Sequence, residues 1–437
     1  MHYVIIGAGP AGIIAAETLR KTDPRGEITL IGDEPEPPYS RMAIPYLLTA
    51  KIAEQGTYLR HDSGHYAQRG IPIVQDRVTA VDPAERRLTL EQGGTLGYDR
   101  LLIATGSRPV LPPIDGIQLP SVHTCWTLAD ARQIIRLARP GAKVVLIGAG
   151  FIGCIILQAL AERGVELTVV EQGDRMVPRM MNQVAGGLLK TWCESKGVKV
   201  YTATQVMAIG AAPAGLAQRL PATAAPHSPA VPNQRLSVLL DNGHELEAAL
   251  VIVAAGVTPN TQCLQDSGVE INRGILVNHW MQTNIPEIYA AGDVACGRDF
   301  STGGYDVHAI QPTASEHGRF AALNMAGIKT VYRGSLSMNV LDTLGLISSS
   351  FGLWRGVAGG ESVEISEPER FRYLSLQFRE DIMVGANSVG LTQHVGVLRG
   401  LIQGGIRLGQ WKNRLLQDPS RLMEAYLARN YSAQHGV

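Results

Sequence analysis

Residues 3 to 12 read YVIIGAGPAG, a short apolar run that breaks into Gly7-x-Gly9-x-x-Gly12, with Pro10 and Ala11 between the last two glycines. The run predicts a buried strand. The glycines predict a turn too tight for a Cβ, a close backbone approach to a pyrophosphate and tight packing of helix on strand. The start of the following helix then offers free N–H groups and a partial positive charge. IIAAETLRK keeps helical apolar spacing to about Asp23-Pro24, and EITLIGDEP supplies a second strand. Asp33 and Glu34 end that strand, Asp33 standing 21 residues beyond Gly12, where a carboxylate accepts hydrogen bonds from a ribose. The whole is a dinucleotide-binding βαβ unit.

Residues 143 to 171, KVVLIGAGFIGCIILQALAERGVELTVVE, repeat the pattern. Gly148-x-Gly150-x-x-Gly153, enclosing Phe151 and Ile152, begins 141 residues after the first fingerprint, and Glu171 ends the next strand 18 residues beyond Gly153. Two dinucleotide sites in one chain imply that electrons pass between two nucleotides. Glu171, with no Arg immediately after it, would repel a 2′-phosphate and favours NAD over NADP.

Around these units the chain carries shorter signals. PPYSRMAIPYLL (37 to 48) has a helical half that would begin beneath a ligand on the first turn, and 71 to 100 reads as short strands with turns. LLIATGSRP (101 to 109) is a buried strand ending in a small-residue turn at Thr105-Gly106. Residues 208 to 235 are rich in Ala and Pro and read as a surface insertion between strands. IYAAGDVA delivers Gly292-Asp293 to a turn, where the carboxylate could bind a sugar alcohol or stand solvated. In IQPTASEHGRFAALNMAG (310 to 327), Pro312 and Thr313 mark a helix start, Thr313 and Glu316 have capping-box spacing, and Gly327 closes the helix. From 331 on, strand patterns give way to a helix over VGVLRGLIQGGIRL, a third, smaller domain without a phosphate loop.

At 437 residues the chain fits about three domains by the usual length prior. Lys plus Arg and Asp plus Glu are equal at 39 each, which gives no reason to expect a nucleic acid or an anionic membrane as partner. Five scattered cysteines (Cys125, Cys154, Cys193, Cys263, Cys296) without a C-x-x-C pair argue against a disulfide scaffold, a zinc site or a cysteine-ligated cluster. A reducing cytoplasm fits best. No signal peptide and no apolar run of membrane-spanning length are expected.

Taken in order, the first fingerprint, LLIATGSRP, the second fingerprint, VIVAAGVTPN and IYAAGDVA resemble the FAD-dependent pyridine-nucleotide oxidoreductases of the glutathione-reductase fold, over roughly residues 1 to 330. The C-terminal portion is similar to that of ferredoxin and rubredoxin reductases, coenzyme A disulfide reductases and nitrite reductase flavin portions. The fold implied is α/β, with two doubly wound (Rossmann-like) nucleotide-binding domains plus a C-terminal α+β domain. FAD binding is expected from 1–113 and 258–328, NAD binding from 114–257, and an interface role from 329–437. The resemblance places FAD on Gly7, Gly9, Pro10, Ala11 and Gly12, with Asp33 or Glu34 at its ribose. Arg41 would meet its pyrophosphate, Asp293 its ribityl chain, and Val78, Thr105, Gly106, Gly292, Pro312 and Thr313 complete the set. NAD(H) would lie on Gly148, Gly150, Phe151, Ile152, Gly153 and Gly256, with Glu171 at its ribose.

The departures from that family are informative. Coenzyme A disulfide reductases carry a redox cysteine where this chain has Met42, and a thioether forms neither a thiolate nor a mixed disulfide. Ferredoxin-reductase relatives carry a Lys and a Glu that meet beside the flavin, where this chain has Tyr46 and Ile155. Losing both is consistent, since one charge of a buried pair left alone would cost several kcal/mol. A surface ion pair is the alternative role for Arg41. His308 could donate a proton to the flavin but reads more readily as structural, Cys296 reads as a small buried residue, and Trp354 and Trp411 read as core or partner anchors.

The expected activity is transfer of electrons between NAD(H) and a separate iron-sulfur protein or subunit through FAD, with either a homo-oligomer or a hetero-complex compatible. The flavin subunit of a tungsten-dependent aldehyde oxidoreductase is one specific form. An NADH oxidase or small-molecule or quinone reductase is the second reading, and a non-catalytic flavin-bearing structural or signalling protein the third.

Overall fold

The strand His2–Ile6 is buried along nearly its whole length, as a strand covered on both faces must be. It lies at the centre of a five-stranded parallel sheet ordered Ile288–Ala290, Arg100–Ile103, His2–Ile6, Glu27–Gly32, Ile73–Gln75. The computed structural model describes residues 1–212 and 235–435. Helix Pro10–Thr22 follows the first strand, and helix Gln311–Met325 packs on it. A Cβ on Gly318 would sit 2.2 Å from the Ala11 carbonyl oxygen, so only glycine permits that approach.

A second parallel sheet repeats the plan, ordered Lys199–Tyr201, Glu166–Val170, Lys143–Ile147, Leu250–Val253, Val122–Thr124, with helix Phe151–Glu162 after its central strand. Each parallel sheet has a three-stranded antiparallel companion, Val78–Asp82 to Thr95–Gly97 in the first unit and Val206–Ala211 to Glu245–Ala248 in the second. The crossings between the units are tied together where Ser107–Pro109 pairs antiparallel with Val257–Pro259. The Ala/Pro-rich stretch expected at 208–235 begins later than the composition suggests, because the strand Val206–Ala211 runs into it. Its remainder, 213 to 234, lies outside the described residues.

The C-terminal part is a five-stranded antiparallel sheet ordered Met338–Thr343, Leu346–Gly352, Ile382–Val389, Arg372–Arg379, Glu361–Glu367. Three helices, Val395–Gln403, Gln410–Gln417 and Leu422–His435, accompany it. The single helix read over VGVLRGLIQGGIRL stops at Gln403, because Gly404 and Gly405 follow and Gly405 takes φ +55°. Trp354 is buried, and the half-buried Trp411 lies beneath the guanidinium groups of Arg414 and Arg421. Among the described residues no helix is long and apolar enough to cross a membrane.

Candidate functional site

Both fingerprints are built as their glycines require. Gly7 and Gly148 have φ of +111° and +100°, and a Cβ on either would lie within 2.5 Å of the carbonyl oxygen of Ala104 or Ala254. On Gly12 and Gly153 a Cβ would meet the oxygen of Gly7 or Gly148 at 1.9 and 2.2 Å, which is the close packing of helix on strand. The middle glycines differ. Gly9 and Gly150 cap the two helices without a side-chain acceptor, and nothing lies within 4 Å of where their Cβ would be. That space is where backbone N–H groups can reach a phosphate.

The first fingerprint opens on a cavity of about 980 Å³. Gly7, Gly9, Pro10, Ala11, Asp33, Glu34, Arg41, Thr105, Gly106, Gly292, Asp293 and Pro312 all line it. Val78 does not. It is packed in the core of the first unit, while Ile73 and Gln75 of the neighbouring segment face the cavity. Thr313 is likewise buried and turned away, with Pro312 and Ala314 on either side lining. The capping box expected of Thr313 and Glu316 is not formed. The helix starts at Gln311 with Ile310 as its cap residue, so Thr313 already lies inside its first turn and no side chain caps the N-terminus facing the cavity.

The two acids after the second strand part company. Asp33 is half exposed and pairs with Arg77 at 3.1 Å. Glu34 accepts from the Tyr39 hydroxyl and from Arg41, both at 2.5 Å. Arg41 is therefore more than a surface ion pair. It also donates to the Tyr39 hydroxyl at 2.9 Å and to the Trp126 carbonyl at 2.6 Å. Its guanidinium carbon lies 5.4 and 5.3 Å from the ring centres of Tyr39 and Trp126. A guanidinium has five N–H donors, and these bonds use three, leaving two for a ligand.

Deeper in, Asp293 accepts from Ser107 Oγ at 3.0 Å. Burial pushes its carboxyl above the usual carboxylate range, while the Ser107 bond and the charge of Arg41 pull it down. Ser107, Tyr39 and Gln311 lie inside stretches that the sequence marked without being picked out as site residues, and Trp126 lies in none of them. Gln311 Oε1 is held by Ser40 Oγ at 2.5 Å, across 271 residues.

At the second fingerprint, Phe151 and Ile152 line the same cavity together with Ile155 and Ile156. Glu171 is buried, and its carboxylate accepts the Ala149 N–H and the Gly173 N–H at 2.7 Å each. It thus braces the fingerprint loop, and a nucleotide ribose must share its remaining lone pairs. Gly256 has φ +115° and open space around its Cβ position.

Met42 lines the cavity and is 47 % exposed. Ile155 lines it too, but Tyr46 does not. Pro45 occupies the lining and the Tyr46 side chain stands outside. His308 is drawn away from the cavity into a buried pair with Asp299 at 3.0 Å, the structural role expected of it. Cys296 is buried as expected, and so are the other four thiols.

A family model described as pyridine nucleotide-disulphide oxidoreductase matches residues 1–318. The chain belongs to that family. It is 30 % identical over 420 residues to the NADH-dependent phenylglyoxylate dehydrogenase subunit epsilon of Aromatoleum evansii, covering 95 % of each chain. It is also 30 % identical to an NADH oxidase of Methanocaldococcus jannaschii, over 76 % of this chain and 71 % of that one. A covalent putidaredoxin reductase–putidaredoxin complex shares the fold, with TM-score 0.85 and 24 % identity over 98 % of this chain and 99 % of the other.

This member of the family is an oxidoreductase that uses FAD and NAD(H), and its residues fit both. The open space at Gly9 and Gly150, the uncapped helix start at Gln311, the two spare donors of Arg41 and the half-buried acceptor Asp293 suit an anionic, polyhydroxylated ligand. Bound there, FAD would supply exchange of a hydride with the nicotinamide and of single electrons with other acceptors. The protein's residues would contribute its binding and orientation. One cysteine does reach the cavity lining, which sequence motifs did not indicate: Cys125, beside Trp126. Burial, with a smaller contribution from Asp130, pushes its thiol up to about 12, so it carries almost no thiolate at neutral pH.

Proposed function

We propose that this chain passes electrons between NAD(H) and a separate iron-sulfur protein or subunit through FAD. The observation that carries the reading is the chemistry of sulfur at the cavity. Met42 stands where disulfide-reducing relatives hold a redox cysteine, and Cys125 is a thiol too poorly ionised to serve. Electrons that reach the flavin then have no protein disulfide to enter. The relative from Aromatoleum evansii supports the same reading, since it is by name one subunit of an NADH-dependent phenylglyoxylate dehydrogenase. Service as the flavin subunit of a larger complex, such as a tungsten-dependent aldehyde oxidoreductase, is a specific form of this proposal.

Division into 1–113 with 258–328 for FAD, 114–257 for NAD and 329–437 for the interface is part of it, supported by the two parallel sheets and the separate antiparallel sheet. So is a cytoplasmic location, supported by five unpaired thiols. The test has two steps. Anaerobic NADH should bleach the visible flavin band, and reoxidation should be slow with O2 but fast with a one-electron iron-sulfur acceptor. Fast turnover with O2 alone would establish the oxidase reading instead, and no bleaching at millimolar NADH would remove hydride transfer altogether.

A further inference from the structure

We propose that Trp126 is a positioning residue for flavin binding, acting through Arg41. Three contacts meet on this one residue, and a fourth extends them. The Trp126 carbonyl accepts from Arg41 at 2.6 Å, and its ring centre lies 5.3 Å from the Arg41 guanidinium carbon. Its indole N–H donates to the Ser107 carbonyl at 3.0 Å, and the Ser107 hydroxyl in turn donates to Asp293 at 3.0 Å. Trp126 therefore joins the cation at one place on the cavity wall to the half-buried acid at another. A guanidinium close to two aromatic rings and bonded to a fixed carbonyl loses little further freedom when a phosphate arrives.

The anchor of this clamp lies in the other nucleotide unit. The Trp126 N–H and the Thr127 N–H both donate to Asp130 Oδ2, at 2.9 and 3.0 Å, within the capping box that starts helix Leu128–Leu137. That helix packs in the core of the second unit. The residue that steadies the first ligand is thus held by the scaffold of the second.

The inference rests on Arg41 meeting the FAD pyrophosphate, and the test separates the two claims. Apoprotein of the full chain is titrated with FAD, reading flavin fluorescence quenching, for wild type, Trp126→Phe, Trp126→Leu, Arg41→Ala and the Arg41→Ala/Trp126→Leu double variant, with circular dichroism confirming the fold. Leu keeps an apolar side chain without an aromatic face, and Phe keeps the face without the indole N–H. Arg41→Ala and Trp126→Leu should each weaken FAD about tenfold, Trp126→Phe only about threefold, and the double variant no more than Arg41→Ala alone. Multiplying losses in the double variant, or an unchanged Trp126→Leu, would overturn the positioning role. An unchanged Arg41→Ala would remove its premise, and the proposal with it.

Discussion

His317 gives the most direct quantitative test of how this fold holds the helix whose start lines the cavity. It sits on helix Gln311–Met325, is 1 % exposed, and meets the Tyr332 ring edge-on at 4.9 Å. Its Nε2 is 3.3 Å from Ser335 Oγ, and its Nδ1 has no partner among the described residues. The ionisable groups nearby are Tyr332, Glu316, which bonds Tyr332, and His308, which is paired with Asp299. Burial, aided by the charge of His308, pushes the imidazole down from 6.5 to about 3. Between those values the unfolded chain binds one proton that the folded chain refuses, so stability is lost as the pH falls. For a single site the loss relative to neutral pH is about 1 kcal/mol near pH 5.5 and about 3 kcal/mol near pH 4.5. His317→Gln stays neutral throughout and keeps a donor for Ser335. Guanidinium unfolding of the two holoproteins across this range should show their stability difference shifting by that amount in favour of the variant as the pH drops. A difference constant to within about 0.5 kcal/mol would refute the buried neutral imidazole.

Three further outcomes are expected. Asp293 is a carboxyl raised by burial, so its ionisation lowers stability as pH rises through its folded value, and Asp293→Asn should raise the apoprotein melting temperature at neutral pH while weakening FAD in a fluorescence titration. A thiol reagent at neutral pH should label none of Cys125, Cys154, Cys193, Cys263 and Cys296 in the native protein, whereas Met42→Cys should add one fast-reacting thiol without conferring disulfide reductase activity. Glu171→Ala leaves the Ala149 and Gly173 N–H groups without their acceptor, costing about 1–3 kcal/mol in unfolding experiments. It should also raise the KM for NADH while leaving FAD affinity unchanged.

Much of the architecture was legible because its causes are local. The glycines of each fingerprint are dictated by backbone geometry within a dozen residues, and the acids that follow sit where a buried strand must end. The missing redox thiol at Met42 is likewise a fact of one position. Smaller local signals misled where two starts competed. Thr313 and Glu316 have the spacing of a capping box, yet Pro312 is already accommodated in the first turn and the helix begins before them.

What the sequence by itself determined, then, was two dinucleotide folds, their order, and a methionine at position 42 where a thiol would be needed for disulfide chemistry. The tertiary structure alone decided which side chains complete that site. Trp126 reaches Arg41 across 85 residues, Ser107 reaches Asp293 across 186, and Ser40 reaches Gln311 across 271. It also turned Val78 into the core, set Glu171 to bracing its own loop, drew His308 to Asp299 and brought Cys125 to the wall. Backbone turns are encoded by neighbours along the chain, whereas a side chain's hydrogen-bond partner and its burial depend on which distant segments the packed core brings alongside it.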